Sequence, residues 1–198
     1  MARCCLFIGL YLMCFPFANA QVSPYKNTVG IGVDYMSLDG PDDLGLRYVA
    51  QYARHIANDR IVLAGSLGYL FVKNRRLIIN NVYDEGRPRE RLTADFTVSF
   101  DFLRSNRHAL RLGAGPSIWY RKDDFLQSAQ FTVQQNGTIT DVTTVRNRID
   151  ETNFGYHIRG EYEYALAPRT TLGGSVGFAN LNRAGFSSIA GLTIGHRF

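Results

Sequence analysis

Apolar and polar residues alternate with a period of two along most of this chain, in eight separate runs. Successive side chains of an extended strand point to opposite faces, so each run reads as a strand with one apolar face. TVGIGVDYM sets Val29, Ile31, Val33 and Tyr35 against Gly30, Gly32 and Asp34. LGLRYVAQYA sets Leu44, Leu46, Tyr48, Ala50 and Tyr52 against Gly45, Arg47, Val49 and Gln51. RIVLAGSLGYLFV opposes Ile61, Leu63, Leu67, Tyr69 and Phe71 to Ala64, Ser66 and Gly68. The cleanest run, LTADFTVSFDF, opposes six apolar residues from Leu92 to Phe102 to Thr93, Asp95, Thr97, Ser99 and Asp101. ALRLGAGPSIWYR follows, with Pro116 inside it. Proline has no amide proton for a ladder, so a bulge or a local pairing defect is expected there. NFGYHIRGEYEYAL, the Gly-rich TTLGGSVGFANL and SSIAGLTIGHRF complete the set.

The connectors also alternate in character. HIAND, RSNRH and APR are tight turns after the second, fourth and sixth runs. Long links, 73–91 and 121–152, follow the third and fifth, and shorter ones, around SLDGPDD and NLNRAG, follow the first and seventh. Most runs approach the 9–11 residues that a tilted strand needs to cross a bilayer. An even strand count, with short turns at one end and longer loops at the other, predicts an all-β, eight-stranded antiparallel up-and-down transmembrane β-barrel over residues 21–198. FTVQQNGTITDV carries Asn136-Gly137 between alternating residues, a hairpin signal. It predicts that the fifth and sixth strands continue above the membrane as a ribbon with exposed edges.

Alternation does not say which face is outside, and a soluble barrel with an apolar interior has the same count. Three features favour lipid outside. The polar face is rich in Gly, Ser and Thr, which suit the crowded lumen of a small barrel. The aromatics of the apolar face gather near strand ends, as two membrane interfaces select. The cations are mostly Arg, with lysine only at 26, 73 and 122, and Arg suits buried bidentate pairs. The expected lumen network is Asp34, Arg47, Asp95, Asp101, Arg111, His157, Arg159, Glu161, Glu163 and Arg197.

The start of the chain places Arg3 before an apolar run from Cys4 to Phe17, then Ala18-Asn19-Ala20 and Gln21. That order is a cleavable secretory signal peptide over residues 1–20, cut between Ala20 and Gln21. Cys4, Cys5 and Cys14 all lie within it, so the exported chain carries no disulfide. A net charge of +5 without a clustered stripe gives no case for nucleic acid.

With the strand pattern, leader and terminal Phe198 in view, the chain resembles the small eight-stranded outer-membrane β-barrels of OmpA and OmpX type. The resemblance covers Gln21–Phe198 and implies the outer membrane of a Gram-negative-type bacterium. No peptidoglycan-binding domain follows the barrel in this chain, so that role of full-length OmpA-type proteins is not carried over. The last strand, closing against the first, resembles the recognition signal read by the barrel-insertion machinery, with Gly191, Leu192, Ile194, His196 and Phe198 as its members.

Candidate chemistry is sparse. His55 and His108 fall in short turns and read as solvated, and His157 reads as a member of the lumen network rather than a general base. Lipid-A deacylase barrels use a Ser/His pair on the outer face. Here Ser188 and His196 share that face, but eight residues at about 3.3 Å each keep them apart. GPDDLG lacks the ligand spacing of a calcium loop, and no metal or cofactor site is read. Loop 73–91 has a local charge of +3; its Lys73, Arg75, Arg76, Arg87, Arg89 and Arg91 are the candidate contacts to lipopolysaccharide phosphates. The reading is therefore a non-enzymatic envelope protein with surface loops for adhesion or recognition. Its alternatives are a narrow channel for ions or small apolar molecules, a lipid-modifying enzyme and a soluble periplasmic ligand-binding barrel.

Overall fold

A computed structural model describes residues 24–38, 44–73, 76–79, 82–84, 88–103, 105–133 and 139–198. The leader, the Asp39, Asp42 and Asp43 turn, Arg75, Arg87 and Asn136-Gly137 lie outside the described residues. Ten strands form among the described residues: β1 (Asn27–Ser37), β2 (Leu44–Ile56), β3 (Ile61–Val72), β4 (Arg76–Ile79), β5 (Val82–Asp84), β6 (Arg89–Asp101), β7 (His108–Val133), β8 (Ile139–Ala167), β9 (Thr170–Leu181) and β10 (Gly185–Arg197). Eight of them pair antiparallel into a closed barrel, each with its neighbour in the chain and β10 with β1. β4 and β5 form a separate hairpin in the link between β3 and β6. At four and three residues they are too short to leave a periodic signature in the sequence.

The eight predicted runs are the eight barrel strands. The ribbon is present: β7 and β8 run 26 and 29 residues and stay paired out to Val133 and Ile139. Opposite Pro116 the β6–β7 ladder skips Phe96 and Thr97 and resumes with Val98 against Ala114 in the same register. The defect is thus a gap and not a bulge. On the other side Pro116 still lies opposite Tyr156 of β8, because a proline can only disturb the ladder its missing N–H would have served.

Barrel closure carries a stagger. From Met36, successive Cα partners run through Ile189, Gly177, Arg159, Gly113, Ser99, Val62 and His55. The His55 amide then donates to the carbonyl of Lys26, ten residues before the start. That shear on eight strands tilts them by about 40° and leaves a bore that side chains alone can fill.

The apolar face is outside. Val29, Ile31, Val33 and Tyr35 of β1 are exposed, whereas Thr28, Gly30, Asp34 and Met36 are buried. Aromatics ring both ends of the outer wall. Tyr52, Phe100, Phe102, Tyr162, Tyr164 and Phe198 lie at the short-turn end, and Tyr35, Tyr69, Phe71, Tyr120, Phe154, Tyr156 and Phe186 at the long-loop end. Tyr48, at 60% exposure, joins the second ring. Phe178 and Phe186 stack there at 5.2 Å.

Candidate functional site: the charged lumen

Inward-facing positions of a barrel this narrow must satisfy one another, because little water can share the bore. Among the described residues, seven arginines and seven carboxylates form ion pairs across the bore. Arg47 is the hub at mid-height. β1 and β2 set Asp34 directly across from it, and both Nε and Nη2 donate to Asp34 Oδ2 at 3.1 and 2.6 Å. Its Nη1 donates to Asp95 Oδ2 at 3.1 Å and Thr93 Oγ1 at 3.2 Å. Trp119 closes the cluster: its indole N–H donates to Asp95 Oδ1 at 3.0 Å, and its ring lies 5.8 Å from the Arg47 guanidinium carbon. Arg47 and Asp34 are 1% and 0% exposed, so their charges are neutralised by each other and not by water. The close fit needs Gly191 opposite Asp34, where a Cβ would collide with the carboxylate.

Below the hub, His157 has both ring nitrogens engaged, Nε2 with Thr97 Oγ1 and Nδ1 with Ser117 Oγ, each at 2.8 Å. Both bonds tie the buried ring to hydroxyls of the barrel wall. Arg159 pairs with Glu161 at 2.9 Å and donates to Ser175. At the short-turn end Glu163 holds Arg111 at 3.0 Å and also Arg197, and Arg111 lies 3.6 Å from Asp101. Asp34, Arg47, Asp95, Asp101, Arg111, His157, Arg159, Glu161, Glu163 and Arg197 thus lie in three groups along the bore.

The opposite end holds groups that sequence reasoning missed. Arg89, Arg91 and Arg121 converge on Asp123 Oδ2 at 3.2, 3.5 and 3.8 Å. Arg121 also reaches Glu151 at 2.7 Å. The expectation that Arg89 and Arg91 meet lipopolysaccharide is corrected. β6 begins at Arg89, so alternation turns both side chains into the bore, where Arg91 is fully buried. Lys73 is exposed, and Arg76 is described as a β4 backbone position. Beside the arginines sits a dry cluster of Met36, Leu38, Leu70, Val72, Trp119, Ala179, Leu181 and Ala184. The signal for it was present in register: Leu70, Val72 and Leu181 share the inward parity of Gly68 and Ala179.

His55 is a second correction. It is the penultimate residue of β2, faces inward and is buried, with Nδ1 4.0 Å from Asp59. His108 remains partly exposed and bonds the Tyr162 hydroxyl at 2.6 Å. Ser188 and His196 stand opposite Phe178 and Thr170, at the two ends of β10. Gly191, Leu192, Ile194 and His196 lie on the closing strand against β1, and Phe198 exchanges backbone hydrogen bonds with Asn27. Among the described residues no group of three or more His, Cys, Asp or Glu is placed to hold a metal ion. The space left near the hub, between Arg47, Asp95, His157 and Arg159, is about 10 Å³, at the lower limit for one water.

A closed eight-stranded barrel with charges paired inside and apolar side chains on its outer wall is an architecture found among solved outer-membrane β-barrels. Solved structures of that class match this fold. Ail of Yersinia pestis, crystallised with the heparin analogue sucrose octasulfate, aligns over 87% of this chain and 97% of its own, at 12% identity and a TM-score of 0.52. Neisserial surface protein A aligns over 88% and 97% at 13% identity and 0.56. A major outer membrane protein of Thermus thermophilus aligns over 88% and 100% at 9% identity and 0.59. At these identities the likeness is one of fold. No protein-family model and no curated protein sequence matches the chain.

Proposed function

We propose that this chain is an integral protein of a Gram-negative-type outer membrane, non-enzymatic, whose filled barrel anchors the β7–β8 ribbon and neighbouring loops at the cell surface for adhesion or recognition. The carrying observation is the inversion of polarity, with Ile31, Leu67, Val176 and Leu192 each about two-thirds exposed while Arg47 and Asp34 are sealed inside. In water that arrangement would expose far more contiguous apolar surface than soluble monomers tolerate. Cleavage between Ala20 and Gln21 would precede insertion, and Gly191, Leu192, Ile194, His196 and Phe198 would be read by the insertion machinery.

The packed lumen supports an anchor over a channel. Of the loop cations, Lys73, Arg75, Arg76 and Arg87 stay as the contacts proposed for lipopolysaccharide phosphates. The Ail complex makes sulfated glycans a first surface ligand to assay. Fractionation tests the location: the protein should require detergent for extraction and run faster unboiled than boiled. Recovery in the soluble periplasm would refute the reading, and discrete openings in planar bilayers would refute the sealed lumen.

A further inference from the structure

Among the described residues, the excess positive charge is concentrated at the short-turn end of the barrel. The interior contributes nothing to it, since Arg47, Arg89, Arg91, Arg111, Arg121, Arg159 and Arg197 are each bridged to one or more of Asp34, Asp95, Asp101, Asp123, Glu151, Glu161 and Glu163. At the short-turn end, the remaining described cations are Lys26, Arg54, Arg60, Arg107 and Arg169. Against these five stands one described carboxylate, Asp59, which Lys26 holds at 3.0 Å. At the long-loop end Lys73, Arg76, Lys122, Arg146, Arg148 and Arg183 are accompanied by Asp84, Glu90, Asp124, Asp141 and Asp150 among the described residues, and Arg146 is bridged to Asp124 at 2.7 Å.

The positions of the short-turn cations decide what they face. Arg54 has the outward parity of β2, two residues beyond Tyr52 of the aromatic ring, and is exposed. Across the β1–β2 ladder its partner is Asn27, whose Oδ1 already accepts from the Tyr52 hydroxyl. Arg60 ends the β2–β3 turn and Arg107 precedes β7, both exposed. Arg169, in the β8–β9 turn, lies over the ring of Tyr25 at 5.5 Å. The four therefore come from three different turns or strand ends around the rim, level with or just below the Tyr and Phe ring. That is the depth of lipid phosphates, which a ring of this shape meets as an annulus, whereas a single docked protein would engage one side.

We propose that this rim binds the phosphates of anionic phospholipids in the leaflet on the short-turn side, the periplasmic leaflet in the orientation proposed above. The inference rests on that membrane reading. Each arginine beside an anionic surface is worth about fivefold in lipid partitioning at low salt, decaying as salt shortens the Debye length. The rim would thereby bias which leaflet the two ends occupy.

The test uses the full barrel in vesicles of 70% phosphatidylcholine and 30% phosphatidylglycerol, quantities set on the order of a typical anionic membrane. After extraction into detergent, the phosphatidylglycerol retained per barrel is measured by mass spectrometry. Wild type should retain it several-fold above its bulk share, and should lose that enrichment between low and high salt. Arg54→Gln/Arg60→Gln/Arg107→Gln should retain near the bulk share while keeping the heat-shifted band, and the long-loop control Lys122→Gln/Arg148→Gln/Arg183→Gln should behave as wild type. Enrichment that survives the rim triple, or is lost equally in the control, would overturn the proposal. So would salt-insensitive retention in wild type, which is read even if the triple fails to fold. Binding to isolated peptidoglycan that depends on the rim, without lipid enrichment, would assign the rim to that polymer and overturn the lipid assignment. Failure of wild type to fold into vesicles at all would strike the membrane reading instead.

Discussion

Replacing Arg47 with Met keeps an unbranched stem and removes the guanidinium with its charge, and the structure fixes what that leaves behind. Asp34 loses two donors to one oxygen, and its other oxygen already has no hydrogen-bond partner. Asp95 loses one donor and keeps the Trp119 indole. Two carboxylates then share a sealed bore with no cation between them. Breaking a buried pair by deleting one partner costs about 3–5 kcal/mol, and the second stranded carboxylate places this case toward the upper part of that range. The variant should unfold at markedly lower urea in detergent micelles, followed by loss of the heat-shifted band. Adding Asp34→Asn and Asp95→Asn to Arg47→Met should restore more than half of the loss, because neutral amides no longer need the cation. A single variant within about 1 kcal/mol of wild type, or a triple no better than the single, would refute the claim that the lumen is dry and charge-paired.

Other outcomes follow from local geometry. Gly191→Ala should destabilise by about 1–3 kcal/mol, since its Cβ would meet the Asp34 carboxylate, while Gly65→Ala, with open space at that position, should be near neutral; urea midpoints compare the two. Ala57, with φ of 50°, leads three successive residues in the left-handed region, so Ala57→Gly should stabilise by about 0.5–1 kcal/mol, and a lower midpoint would contradict that strain. Deleting Phe198 should lower the assembled yield in membranes more than the stability of barrels already folded, and an unchanged yield would count against its role in recognition.

The barrel was legible because its signals are local. A period of two needs only neighbouring residues, and Asn136-Gly137 marked the ribbon by turn chemistry alone. Positions that depended on knowing where a strand begins were harder. Arg89 and Arg91 looked like loop cations because their stretch begins in a charged, irregular segment; extending the parity of LTADFTVSFDF three residues back turns them inward. His55 failed for the same reason at the other end, where β2 runs on to Ile56. The apolar cluster of Met36, Leu70, Val72 and Leu181 breaks the simple rule of polar inside, and only the closed barrel brings β1, β3 and β9 to one level. The shear that does so is a property of eight registers together, which no single run encodes.

The polarity of the wall can be read residue by residue, because no cysteine lies beyond Cys14. Single cysteines placed in turn from Val29 to Tyr35, labelled with a fluorophore in vesicles, should be quenched by brominated acyl chains at Val29, Ile31, Val33 and Tyr35. At Gly30, Gly32 and Asp34, wherever the folded band persists, the lipid quencher should have little effect. Quenching by lipid at the even positions, or by aqueous iodide at the odd ones, would contradict an inside-out barrel.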